Sequence, residues 1–204
     1  YRHIANSQGL LRVAATASQV NEVSTAREAY YAAWEIDPRD TTSKLSKFLV
    51  DIGDYLGAED VIRRSLGSTK LDRVRPYWLV RLAGILENQN RWTEAVGIHA
   101  QVIDESYLFY PGERHLARRY TDLAWAYHMN NQHPMAVDAI QNAIIQLPSD
   151  PSSYVQVWLR AGQIYENSGK TELALQAFYK VLEQNPDHKT ALDAVLRLTT
   201  SDED

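Results

Sequence analysis

Cysteine is missing from this chain of 204 residues, and Met occurs only twice. Without thiols there is no disulfide framework, no zinc knuckle and no thiol nucleophile, while reducing and oxidising compartments both accept such a chain. Long apolar runs are missing too. None reaches the roughly 18 residues of a spanning helix, and no basic-then-apolar leader precedes a small-residue cleavage site, so this segment is not expected to insert into a membrane. Positive charge is in deficit: 21 Lys and Arg stand against 26 Asp and Glu, a net charge of −5. That argues against a dedicated duplex-DNA binder, which must neutralise many phosphates, and leaves RNA contact open. What is present is 45% apolar and 10% aromatic residues, enough to bury a substantial core. The chain begins at Tyr1 without Met, and a helical pattern starts within a few residues. This reads as a segment of a longer protein.

Catalytic signatures are also lacking. There is no G-x-S-x-G, P-loop, H-E-x-x-H or G-x-G-x-x-G. His128 and His133 bracket a turn, and their separation suits no helical metal pair, for which i and i+4 share a face. His115 reads as a surface histidine or a phosphate contact, and His99 as a packed, hydrogen-bonded one. The expectation is therefore no enzyme, no cofactor and no metal.

An internal repeat is the strongest positive signal. Leu10, Ala17, Ala26, Tyr30, Ala33 and Pro38 follow one another in steps of 7, 9, 4, 3 and 5. The same five steps recur in Tyr120, Tyr127, Ala136, Ile140, Ala143, Pro148 and in Trp158, Tyr165, Ala174, Phe178, Val181, Pro186. Residues 7 apart share a helix face two turns on, the step of 9 crosses a turn, and steps of 4 and 3 return to one face. Each segment is thus a helical hairpin. Turn-formers sit at equivalent places: Gln19 to Asn21, Gly53-Asp54, Asn88 to Asn90, Asn130 to Gln132 and Asn167 to Gly169. Ala26, Ala58, Ala95, Ala136 and Ala174 follow them, at spacings of 32, 37, 41 and 38, where two helices must approach closely. Pro38, Pro148 and Pro186 close their repeats.

These residues resemble the tetratricopeptide repeat family, with its period of about 34 residues and W-x2-L-G-x2-Y…A…F…P pattern. Trp158, Ala161-Gly162, Tyr165, Gly169, Ala174, Phe178 and Pro186 carry the likeness best. Elsewhere the pattern is looser: Thr42 and Ser65 occupy apolar positions, His99 stands where an aromatic is expected, and the third closing proline is displaced to Pro111. The resemblance implies one all-α domain over 1–204, a right-handed superhelical solenoid of about five hairpins. They are expected at 7–40, 41–72, 76–111, 117–150 and 155–188. A segment over 190–198, with Leu192, Val195, Leu196 and Leu198 on one side, is expected to cap the last repeat. The connection 105–115 either lengthens a helix or protrudes as a loop. Its Tyr107, Phe109 and Tyr110 either pack over the next hairpin or contact a partner.

The resemblance also implies a function. The first helices line a concave groove that scaffolds protein partners, holding a peptide or protein segment. The groove candidates are Lys44 and Lys47, with Tyr77, Arg81 and Glu87, then Arg118, Asp122, Trp125 and His128, and finally Gln156, Arg160, Gln163 and Asn167. Charge adds a preference, because only residues 63–119 are net positive, with 10 basic and 6 acidic side chains. A partner carrying acidic groups is expected there, held through bidentate arginines, unless those arginines are simply solvated faces. The Lys and Asn set with which some family members grip chaperone tails is not reproduced. Two further readings stay open: a soluble repeat region of a larger membrane or cell-envelope protein, for example in polysaccharide assembly, or a self-associating structural array. Compartment, cytoplasmic or extracytoplasmic, and oligomeric state are unknown from these residues.

Overall fold

The computed structural model describes residues 2–68, 74–109, 113–147 and 154–200. All regular structure among them is α-helical. Contacts divide the chain into two compact units, Tyr1–Asn90 and Arg91–Asp204, with the boundary in the turn of the third expected hairpin.

The first unit holds α1 (Arg2–Gln19), α2 (Val23–Ile36), α3 (Pro38–Asp51), α4 (Tyr55–Ser68) and α5 (Arg75–Asn88), each packed on the next. Its core includes Leu45, Leu49, Val61, Ile62, Leu79, Leu82 and Leu86, all essentially inaccessible. The polar departures from the repeat pattern are satisfied inside it. Trp34 Nε1 donates to Thr42 Oγ1 at 2.8 Å, Thr42 Oγ1 lies 2.7 Å from Ser65 Oγ, and the two hydroxyls reach the carbonyls of Pro38 and Val61. A buried indole N–H needs an acceptor, and Thr42 supplies it at a position that would otherwise be apolar.

The second unit holds α6 (Trp92–Phe109), α7 (Glu113–Met129), α8 (His133–Ile145), α9 (Val155–Asn167), α10 (Thr171–Gln184) and α11 (Lys189–Thr200), again packed in sequence, with α7 also touching α9. One cluster runs through it, from Ile103 and Leu123 through Ile140 and Ile164 to Phe178, Val181 and Ala194.

Five residues set the hairpin turns. Asn21, Gly53, Asn90, Asn131 and Gly169 all adopt positive φ, between 56° and 79°. Glycine enters this region without penalty, and asparagine is the side chain that best tolerates it. The turn pulls the next amide back onto the helix end: Glu22, Asp54, Gln132 and Lys170 donate to Ala17, Leu49, Tyr127 and Tyr165. Five residues beyond each turn residue stands an alanine of the repeat, and all five alanines are completely buried.

Two sequence expectations change in detail, at Pro38 and on the last helix, and one open alternative is resolved. Pro38 opens α3 as its first residue behind the capping Asp37, where its missing N–H costs nothing; Pro148 lies outside the described residues. The 105–115 connection does lengthen a helix, since α6 continues to Phe109. Tyr107 is half exposed with its hydroxyl 3.3 Å from that of Tyr120, and the positions of Tyr110 and Pro111 lie outside the described residues. On α11 the covered stripe is Ala191, Ala194, Val195 and Leu198, while Leu192 and Leu196 are exposed. Steps of 3, 4 and 7 select the covered four, and Leu192 and Leu196 fall on the next stripe round the helix.

Candidate peptide-binding surface

Counting back nine residues from each positive-φ turn residue reaches Arg12, Lys44, Arg81, Asp122 and Arg160. Each lies two and a half helical turns before its turn, so all five occupy the same place on their first helices. Four of the five are cations. Arg12 was not among the sequence candidates, although it stands two residues after Leu10, as Asp122 and Arg160 do after Tyr120 and Trp158.

In the first unit, Arg12 and Lys44 line one cleft of about 370 Å³ together with Gln8, Leu11, Ala15 and Tyr30. Lys47 and Arg81 line a smaller one of about 160 Å³ with Val50, Gly84, Ile85 and Asn88. Arg81 is held by its neighbour one turn earlier: its Nη1 donates to Tyr77 Oη at 3.1 Å, and its guanidinium lies 5.6 Å from the Tyr77 ring centre. Tyr77 Oη also meets Ser43 Oγ at 3.1 Å. The Ser43 hydrogen bond and then the Arg81 cation hold the Tyr77 hydroxyl below its ordinary pKa, against its partial burial. Lys47 pairs with Asp51 one turn on, at 2.5 Å. Glu87 is half-buried on α5.

The second unit gathers the remaining candidates on α7, α8 and α9. Arg160 stacks on Trp125, its guanidinium carbon 3.3 Å from the ring centre. Trp125 packs against His128 at 5.0 Å between ring centres, and His128 against His133 at 5.7 Å. Burial, then the neighbouring His133 and Arg160, push His128 below its ordinary value of 6.5. Gln163 stands one turn beyond Arg160 on α9, and Asn167 beyond it caps the Gln163 carbonyl at 2.9 Å. Asn167 and His133 share a cleft of about 470 Å³ with Pro134, Val137, Asp138 and Lys170. Asp122, the exception to the cation rule, pairs with Arg119 at 3.6 Å. Burial lowers the pKa of that arginine. Arg118 and Gln156 are exposed on the same helices.

His133 was set aside in the sequence because five residues separate it from His128. The turn at Asn131 reverses the chain and brings the two rings together, so the relevant spacing is spatial and not helical.

Models of the tetratricopeptide repeat match residues 79–108 and 155–188. It is a tetratricopeptide repeat protein. Curated proteins return no sequence match to this repeat protein. Solved structures share its fold at low identity. The C-terminal part of a repeat-containing protein from Cytophaga hutchinsonii has 15% identity and a TM-score of 0.72, covering 93% of this chain and 73% of that one. PilF of Pseudomonas aeruginosa has 18% identity and a TM-score of 0.68, covering 100% and 87%. YrrB, a tetratricopeptide protein described as having an unusual peptide-binding site, has 19% identity and a TM-score of 0.66, covering 91% and 89%. The shared architecture is an all-α helical-repeat solenoid. Among the described residues no helix is long and apolar enough to cross a membrane.

Proposed function

We propose that this tetratricopeptide protein is a binding scaffold, not a catalyst. It takes an extended peptide with acidic side chains against the first helices of its repeats, with 1–204 read as one array of five hairpins. The observation that carries this is the recurrence of a cation at one helical position in four of five hairpins, three of them, Arg12, Lys44 and Arg81, within the first unit. A solvated face repeats in register with the turns too, but it accepts charge of either sign. A surface that reads an acidic partner selects one sign, because charge-assisted hydrogen bonds and complementary potentials favour cations there. Aromatic rings beside two of these cations, Tyr77 at Arg81 and Trp125 at Arg160, add the residue types that anchor interfaces. The binding site described for YrrB is compatible with a peptide-binding role for this fold.

The test is photocrosslinking from single positions of the native chain. Probes at Lys44, Tyr77 and Gln156 on first helices are expected to capture a partner, and probes at Arg64 and Tyr179, exposed on second helices, are not. Charge reversal at Lys44 and Arg81 is expected to weaken capture at least about tenfold, as loss of close charged contacts does. Equal capture from both sets of helices would reject the first-helix surface.

A further inference from the structure

Two helices keep an apolar stripe uncovered, and the repeat spacing shows what each stripe is shaped to meet. α9 is covered on two sides: Gly162 lies against Phe178 of α10, and Val157, Ala161 and Ile164 are buried on a second line round the helix. One period of about 34 residues later, α11 repeats this order. Ala191, Val195 and Leu198 take the places of Val157, Ala161 and Ile164, and they form the covered side of α11, which packs on α10. Leu192 and Leu196 take the places of Trp158 and Gly162, on the face that in α9 meets the following helix. On α11 both are exposed.

On α1 the other face is the open one. Gly9, Val13 and Thr16 stand to Leu10 as Val157, Ala161 and Ile164 stand to Trp158, which makes them the face for a preceding helix. Val13 and Thr16 are exposed, and a Cβ added at Gly9 would meet nothing within 4 Å. Val20 extends the stripe: its N–H still donates to the Thr16 carbonyl at 3.2 Å, and its side chain is exposed as well. The two stripes match in relief. Leu192 and Leu196 are long side chains one turn apart, and the small Gly9 and Thr16 leave hollows on either side of Val13, the arrangement in which ridges enter grooves.

Charge selects the occupant. Residues 1–21 hold two basic side chains, Arg2 and Arg12, and no acidic one, whereas residues 182–204 hold six acidic side chains against two basic. Two α11 faces brought together set negative against negative, two α1 faces set positive against positive, and only the mixed pair attracts. We propose that the Leu192 and Leu196 stripe of one chain docks on the Gly9, Val13 and Thr16 stripe of a second copy. The contact is heterologous, so every chain that joins still offers an open stripe and the assembly grows by addition. One helix from each chain gives an interface at the low end of the size range, below about 1,200 Å². Association is therefore weak, and it depends on protein concentration and on salt. It does not rest on the reading of the first helices as a peptide-binding surface.

Sedimentation velocity of the full chain over a range of concentrations tests this. The native chain is expected to grow beyond a dimer as concentration rises, and to associate about fivefold more weakly at about 1 M salt than at about 0.05 M, where charges are less screened. Val13→Glu and Leu196→Glu each put a carboxylate on an exposed position, so both are expected to keep the native helical content and to stay monomeric alone. Mixed, they are expected to form a one-to-one dimer and nothing larger, because the intact α11 of one still fits the intact α1 of the other. Leu56→Glu, exposed on α4 and on neither stripe, is expected to assemble as the native chain does. A native chain that stays monomeric at every concentration overturns the proposal and leaves the stripes to a different partner. Val13→Glu chains that still dimerise alone indicate α11 pairing with itself, and Leu196→Glu chains that do so indicate α1 pairing with itself; either result overturns it. Assembly lost equally with Leu56→Glu, or indifferent to salt, overturns it too.

Discussion

Thr42 illustrates how much one side chain depends on neighbours far away in sequence. Its hydroxyl accepts from the Trp34 indole and meets Ser65, in the middle of an otherwise aliphatic layer. Thr42→Val keeps the shape and strands the Trp34 N–H, so urea denaturation should show a loss of about 1–3 kcal/mol. Thr42→Ser should lose much less, and equal losses would mean that the methyl group matters and the hydrogen bond does not. In the sequence, Thr42 and Ser65 look like flaws in an apolar pattern. They become a matched pair only when α2, α3 and α4 lie side by side. The candidate cations divide in the same way: Lys44, Arg81 and Arg160 stand out as charged positions off the core face. Arg12 joins them once the repeats are aligned on their turns, nine residues before Asn21.

At the scale of the helix pair, Gly162 sets how closely α9 approaches α10. A methyl group built there would lie 2.5 Å from the Phe178 ring, which is buried. Gly162→Ala should therefore cost about 1–3 kcal/mol by overpacking, although alanine is the better helix former in isolation. Thermal denaturation with an unchanged or higher midpoint would show that the ring can move aside. The hairpin turns were the most legible elements, because Gly and Asn recur in step with the fully buried alanines. The facing of α11 was less so. Leu192 and Leu196 look covered in a one-dimensional count, yet the smaller Ala191 and Ala194 make the contact. Close approach selects small residues at the contact line, and size is invisible to a pattern that scores only apolarity.

Across the whole molecule, pH dependence exposes the half-buried imidazole of His128. His128 is held below 6.5 by burial and by His133 and Arg160, so protonation favours the unfolded chain. The stability owed to neutral His128 is complete above about pH 6.5 and is lost as pH falls through the lower folded value. Denaturation midpoints across that range should fall more steeply for the native chain than for His128→Gln. Parallel curves would place the acid sensitivity elsewhere. The all-α class and the hairpin repeat were settled by residue order alone, since helical period, turn residues and small contact residues act over a few positions. Pairing of His128 with His133, stacking of Arg160 on Trp125 and satisfaction of Trp34 by Thr42 were decided only by tertiary structure. Those contacts join residues that chain reversal and helix packing bring together, and a linear spacing carries no information about which faces meet.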